Sequence, residues 1–288
     1  MIRNFGFKAM LAVCCGFFAG AVVCTPQSGW ISSHVVSGGK DLNAVYFSDS
    51  KRGWVGGDGG FLAFTDDGGA NWFERRLSTD HAINDVYFVS KDRGFALSGG
   101  SIFETTDAGH TWQEVHKFSA DEFGGGTPEL YSLRFNGKKR GWVVGSASRG
   151  DIVINSILAI TRDSGVTWQV LKAPTNQELI HIDVVSENRA WIVGAGGAIL
   201  HTEDQGETWI RQVSNTQATL YHVDFRSERK GWAVGERGTI LRTEDGGESW
   251  TRIESAVRST LLSVQFVNDD EGWIVGRGGV ILRSGDRG

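Results

Sequence analysis

The sequence predicts an all-β chain, a six-bladed β-propeller of four-stranded antiparallel blades, and three observations predict it. A turn of the form Ser/Thr-x-Asp-x-Gly-x-x-Trp recurs at Asp67, Asp107, Asp163, Asp204 and Asp245, and a sixth copy at Asp286 runs to Gly288. Successive aspartates lie 40, 56, 41, 41 and 41 residues apart, the length of one propeller blade. The 288 residues hold 40 glycines, 11 tryptophans and only 3 prolines, a profile of many tight turns between short strands.

Residues 1–24 read as an export signal. Arg3 and Lys8 give a positive start, an uncharged apolar run follows from Ala9 to Val23, and Ala19 and Ala21 offer a peptidase site. The run is short against the roughly twenty residues of a spanning helix. A periplasmic, lumenal or extracellular location is therefore expected. All three cysteines, Cys14, Cys15 and Cys24, lie in this segment, so residues 25–288, expected to be a single propeller domain, need no disulfide. Lipid anchoring at Cys24 is disfavoured because Val23, not a small residue, precedes it.

Gly29-Trp30-Ile31 resembles Asn71-Trp72-Phe73 and Ser249-Trp250-Thr251, so the N-terminal stretch is expected to donate the fourth strand of the last blade and close the ring. This would remove exposed sheet edges. Within each copy an apolar strand leads to a Gly-Trp-x-Val-Gly-like strand, a Gly-rich hairpin, a third strand and the aspartate turn. Trp30, Trp72, Trp112, Trp168, Trp209 and Trp250 end turns; Trp54, Trp142, Trp191, Trp232 and Trp273 occupy the second strand, with Phe95 in the remaining copy. They are expected to pack between blades. The 56-residue step reflects about seven extra residues before the third copy's first strand and eight between Trp142 and Asp163, too few for another blade.

The repeated aspartates Asp67, Asp107, Asp163, Asp204, Asp245 and Asp286 read as folding devices, the Asp-box turns. A turn Asp accepts backbone N–H bonds about two residues on, and the following Gly tolerates positive φ. One Asp per turn, a blade apart, does not make a calcium site. The clusters Gly56-Gly57-Asp58-Gly59-Gly60 and Gly194-Ala195-Gly196-Gly197 sit between strands, so they read as hairpins rather than nucleotide loops. Seven scattered histidines form no metal motif and no Gly-x-Ser-x-Gly elbow is present. No cofactor, metal or catalytic residue is expected. The formal net charge is −5, and loss of Arg3 and Lys8 with the signal moves it to −7, which argues against nucleic acid as a partner.

In propeller topology the second-to-third-strand hairpins and the blade-to-blade crossovers share one face, opposite the aspartate turns. Both insertions of the third copy fall there: His116 to Glu129, with Asp121, Glu122, Phe123 and Gly124-Gly125-Gly126, and the stretch around Arg149 and Asp151. Arg149, Arg237 and Arg277 are expected on hairpins of the same face. Loops carry function more often than the scaffold beneath them, so these six, Arg149, Arg237, Arg277, Asp121, Glu122 and Phe123, are the candidate surface for a protein partner of a monomeric propeller.

The copies of Arg-Gly-Trp-x-Val-Gly-x-x-Gly-x-Ile-x-x-Thr-x-Asp-x-Gly-x-Thr-Trp, best kept from Gly231 to Gly247, resemble photosystem II stability/assembly factors. The resemblance implies a lumenal or periplasmic propeller that escorts newly made reaction-centre subunits without catalysis. It also implies seven blades and an arginine-rich patch, whereas six copies are present and the nearest segments here are Gly196-Gly197-Ala198-Ile199 and Ser214-Asn215-Thr216-Gln217. That patch is not carried over. The rival class is a sialidase-like or glycan-binding extracellular propeller. Its usual Arg-Ile-Pro start is missing, since Pro26, Pro128 and Pro174 lie elsewhere, and Tyr46, Tyr87, Tyr131 and Tyr221 fall at first-strand positions that packing or channel lining explains. A two-carboxylate glycosidase cannot be read from sequence spacing alone.

Overall fold

The repeats fold as antiparallel meanders in which every strand pairs with the next. A computed structural model describes residues 40–288, apart from the side chain of Arg76. Blade one holds β1 (Leu42–Phe47), β2 (Gly53–Gly57), β3 (Phe61–Thr65) and β4 (Phe73–Arg76); blade two β5 (Ile83–Phe88), β6 (Gly94–Ser98), β7 (Ser101–Thr105) and β8 (Gln113–Lys117). Blade three has β9 (Thr127–Asn136), β10 (Arg140–Arg149), β11 (Ile152–Thr161) and β12 (Gln169–Val170). Blade four has β13 (Leu179–Val184), β14 (Ala190–Gly194), β15 (Ile199–Thr202) and β16 (Ile210–Arg211); blade five β17 (Leu220–Phe225), β18 (Gly231–Gly235), β19 (Ile240–Thr243) and β20 (Thr251–Ile253). Among the described residues blade six has three strands, β21 (Leu261–Phe266), β22 (Gly272–Gly276) and β23 (Val280–Ser284). The donated strand expected around Trp30, the export signal and Cys24 lie outside the described residues. The six-bladed propeller is thus present, and blade three carries its extra length as three ten-residue strands.

The core lies between blades rather than within them. One cluster joins Trp191, Val193 and Ile199 of blade four to Leu220, Val223 and Phe225 of blade five, and the next joins Trp232, Val234 and Ile240 to Leu261, Val264 and Phe266. The first strand supplies its first, fourth and sixth residues to this core because a register shift after its first residue resets the alternation. The second-strand ring lies flat on the next blade's aromatic: Trp54 on Phe88 at 3.9 Å between centroids, Trp191 on Phe225 at 3.7 Å and Trp232 on Phe266 at 3.6 Å. The turn tryptophan of the same blade meets that aromatic edge-on, as Trp112 meets Phe88 at 6.0 Å and 83° and Trp250 meets Phe225 at 5.8 Å and 88°. The edge-on contacts suit aromatic quadrupoles, whereas the face-to-face stacks are held by burial and dispersion.

The aspartate turns are built alike, and more tightly than sequence alone suggests. Thr105 Oγ1 donates to Asp107 Oδ1 at 2.8 Å and accepts the N–H of Gly109 at 2.9 Å; Asp107 Oδ1 accepts the N–H of Thr111 at 2.9 Å. The carboxylate therefore reaches four residues on, not two. The same bonds recur from Thr65, Thr161, Thr202 and Thr243, and Ser284 Oγ both donates to Asp286 and accepts from Gly288 in blade six. Gly109 is required for two reasons. Its φ is +82°, and a Cβ there would stand 2.3 Å from the indole nitrogen of Trp54 in the preceding blade. Gly206 meets Trp142 in the same way, at 2.0 Å.

Candidate partner-binding face and channel

The first strands lie side by side around the propeller axis, and in blades two, four and five their third and fifth residues are polar: Asp85 and Tyr87, His181 and Asp183, His222 and Asp224. Most reach forward to the next blade. Tyr46 Oη donates to the carbonyl of Phe88 at 3.1 Å, Asp85 Oδ2 accepts the N–H of Leu133 at 2.8 Å, Asp183 Oδ2 that of Phe225 at 2.7 Å, and Asp224 Oδ2 that of Phe266 at 2.8 Å. In the middle, Arg134 Nη1 donates to Asp85 Oδ2 at 2.6 Å, and Arg134 Nη2 lies 3.2 Å from His181 Nε2. His181 in turn stacks on His222 with ring centroids 3.8 Å apart. Burial, then the Arg134 charge, pushes the His222 imidazole down to about 3; burial, His222 and Arg134 hold His181 well below the usual range. Burial works against the Arg134 charge, but Asp85 outweighs it and the guanidinium is held protonated. The centre is thus one cation on a carboxylate, faced by two neutral imidazoles.

At the crossover end the lining changes to carboxylates and phenols. Asn84 Nδ2 donates to Glu129 Oε1 at 2.6 Å and to the carbonyl of Leu130 at 2.9 Å. Tyr131 Oη lies 3.3 Å from Ser146 Oγ, which donates to Glu178 Oε1 at 3.4 Å. Burial foremost, with Glu178 and Glu129 adding to it, pushes the Tyr131 phenol up. Tyr221 is raised by burial and then by Glu236, with Arg277 opposing.

The two blade-three insertions come together. Ala120–Phe123 forms a short 3-10 helix, held at its start by Glu122, whose Oε1 accepts from the N–H of Ser119 at 2.7 Å and from its hydroxyl at 3.0 Å. Arg149 Nη2, at the tip of the β10–β11 hairpin, donates to the carbonyl of Gly124 at 2.8 Å, and Asn155 Nδ2 to that of Phe123 at 3.1 Å. Asp121, Glu122, Arg149, Arg237 and Arg277 are exposed, Arg237 at the tip of the blade-five hairpin. Phe123 departs from expectation: it is 3 % exposed and packs near Phe118, so it fastens the insertion instead of presenting a contact. The channel groups Arg134, His181 and His222 were not singled out from sequence, although polar residues at alternate places in an otherwise apolar strand were the available signal.

Among the described residues no group of three or more His, Cys, Asp or Glu side chains is placed to hold a metal ion, and no helix is long and apolar enough to cross a membrane.

Comparison with known proteins follows the fold. YCF48 from Cyanidioschyzon merolae superposes with a TM-score of 0.56 at 18 % identity, covering 85 % of this chain and 95 % of that one. The GH74 xyloglucanase from Xanthomonas campestris gives 0.67 at 14 % identity, and a GH74 enzyme from Niastella koreensis 0.66 at 13 %; each covers 85 % of this chain, which spans 45 % of theirs. At such identities these likenesses show the propeller fold alone. No curated protein sequence matches the chain. The family model described as photosynthesis system II assembly factor YCF48 matches residues 127–217 and 212–288, more than half of the sequence, and the chain therefore belongs to the YCF48 photosystem II assembly factor family.

Proposed function

We propose that this protein is a non-enzymatic assembly or stability factor, exported from the cytoplasm, that binds a protein partner on the crossover face of the propeller. The family match over blades three to six carries this reading. Two features of the face support it. At the centre of the ring Asp85, Arg134, His181 and His222, from four different blades, bond and stack on one another and tie the scaffold together. The blade-three insertions form a fastened ledge beside the mouth, with Asp121 and Arg149 exposed on it. Rigid scaffolds that present exposed loops are common binding surfaces.

The test is affinity capture of a tagged, full-length copy from its host after mild crosslinking, with mass spectrometry of what is retained. Recovery of photosystem reaction-centre subunits supports the assembly role. Recovery of glycans or envelope proteins alone moves the function to a general binding propeller, and hydrolysis of a glycan by the purified protein overturns the non-enzymatic reading.

A further inference from the structure

The three inner strands of blade three run on past the ring. β9, β10 and β11 are ten residues each, against four to six for the inner strands of the other blades, so their upper halves stand above the crossover face as a projecting piece of sheet. The insertion covers one face of it. A register shift leaves Ile154 unpaired and turns it the same way as Asn155. Ile154 lies against Gly126, where a Cβ would stand 2.8 Å from its Cδ1, and Asn155 Nδ2 donates to the Phe123 carbonyl at 3.1 Å.

The outer edge of the projection is uncovered. β12 pairs with Ala159 and Ile160 of β11, the Leu171 N–H donates to the Leu158 carbonyl at 2.8 Å, and Ser156 Oγ donates to the Thr175 carbonyl at 3.0 Å. From Ile152 to Asn155, no strand among the described residues lies on that side of β11. Arg149 and Ile152 close a two-residue hairpin through Gly150, whose φ is +60°. They therefore form a bonded pair, and the next pair, Ser148 and Val153, turns the Val153 N–H and C=O outward.

Uncovered edges invite pairing, and folded chains blunt them with charge. The outer strands of blades one, two, four and five all carry it: Glu74 and Arg75, Glu114 and Lys117, Arg211, and Arg252. Blade three has no charged residue from Ile152 to Ile160, and Ile152 is 69 % exposed.

We propose that Ile152–Asn155 is the edge to which the protein partner adds a strand, an extended segment of about four uncharged residues, rich in β-branched side chains, that pairs with Val153 and packs on Ile152. This rests on the partner-binding reading above and names the chemistry of what is bound. The edge is closed at its lower end by Thr175 beside Ser156 and open at the hairpin tip. A second copy pairing antiparallel about a two-fold axis would drive its own Asp151 into the closed end, whereas a free segment enters from the tip.

The test is made on the full, tagged chain in its host. A photo-crosslinking benzoylphenylalanine replaces Ile152 or, as control, Val213, which is 70 % exposed on the blade four–five crossover, and the segment joined on irradiation is sequenced by mass spectrometry. Two variants accompany it. Val153→Pro deletes the outward N–H without removing a bond of the β10–β11 ladder, and Ile152→Lys charges the edge. Crosslinking at 152 and not at 213, into an uncharged stretch of another protein, supports strand addition when both variants also retain about tenfold less of that protein at unchanged Tm. If Val153→Pro lowers Tm, the exposed Ile152→Lys decides alone. Equal retention by the natural chain and the variants, equal crosslinking at both positions, or a crosslink into a second copy or the same chain overturns the edge site and leaves partner binding standing. A natural chain that retains no protein overturns both.

Discussion

The indole N–H of Trp191, on the second strand of blade four, donates to the carbonyl of Gly246 in the aspartate turn of blade five at 3.2 Å. Trp232 repeats the bond to Arg287 at 3.0 Å. Where blade two has Phe95 instead, Arg93 reaches the equivalent carbonyl of Ser164, and Arg140 takes that of Gln205 at 2.9 Å beside Trp142. The aspartate turns of blades three to six therefore serve the preceding blade as well as their own, whereas the indole nitrogen of Trp54 takes no such bond from the blade-two turn.

This division of labour predicts unequal costs. Trp232→Ala opens a cavity in the blade five–six core and should cost about 3–5 kcal/mol. Trp191→Phe keeps the stack on Phe225 and loses one hydrogen bond, and Gly246 retains the Gln212 Nε2 donor at 3.0 Å, so its cost should be about 1 kcal/mol. Urea denaturation measures both; equal losses would show that the hydrogen bond, not the cavity, governs the joint.

Thr105 is buried, and its hydroxyl serves Asp107 and Gly109 together. Thr105→Val keeps the shape but leaves the Gly109 N–H without its acceptor. The expected loss is about 1–3 kcal/mol, and Thr105→Ser, which restores the hydroxyl, should recover most of it.

Sequence reasoning reached the blades, their number and the strand or turn place of the tryptophans from Trp54 to Trp273, because these follow from a repeat whose spacing and residue types are local, although Trp273, expected to pack between blades, is exposed. It did not reach the channel chemistry. Arg134, His181 and His222 belong to three different blades, and only ring geometry brings the guanidinium to one imidazole and the second imidazole onto the first. Phe123 misled for a related reason: in sequence it is an aromatic in a polar loop, while in space Asn155 and Phe118 from other elements fold over it.

Asp67, Asp107, Asp163 and Asp245 are all lowered to about 2; backbone N–H and neighbouring hydroxyl or amide donors favour the charged form, with burial opposing, most strongly at Asp245. A folded pKa below the unfolded value means that the stabilisation is complete above about pH 4 and is lost as pH falls toward 2. Asp107→Asn should remove part of that acid-side slope in a pH series of denaturation midpoints, and a slope unchanged by it would shift the effect to other carboxylates.

The histidine pair acts in a higher window. His222 titrates at about 3 and His181 well below its usual value in the folded chain, against about 6.5 when unfolded. Between these limits the unfolded state binds more protons, so the contribution of neutral imidazoles is whole above about pH 6.5 and declines as pH falls toward 3. The groups around them set the sense of the effect. Arg134 from β9 repels a new imidazolium, while Asp85 from β5, Asp183 from β13 and Asp224 from β17 are already bonded to Arg134 or to backbone N–H groups. His222→Gln, polar and uncharged, should flatten the stability profile between pH 6.5 and 4 while leaving the acid-side loss of the aspartate turns in place. If the profile of His222→Gln matches that of the natural chain throughout this window, the stacked pair does not titrate with unfolding and the channel centre is held by the Arg134–Asp85 contact alone.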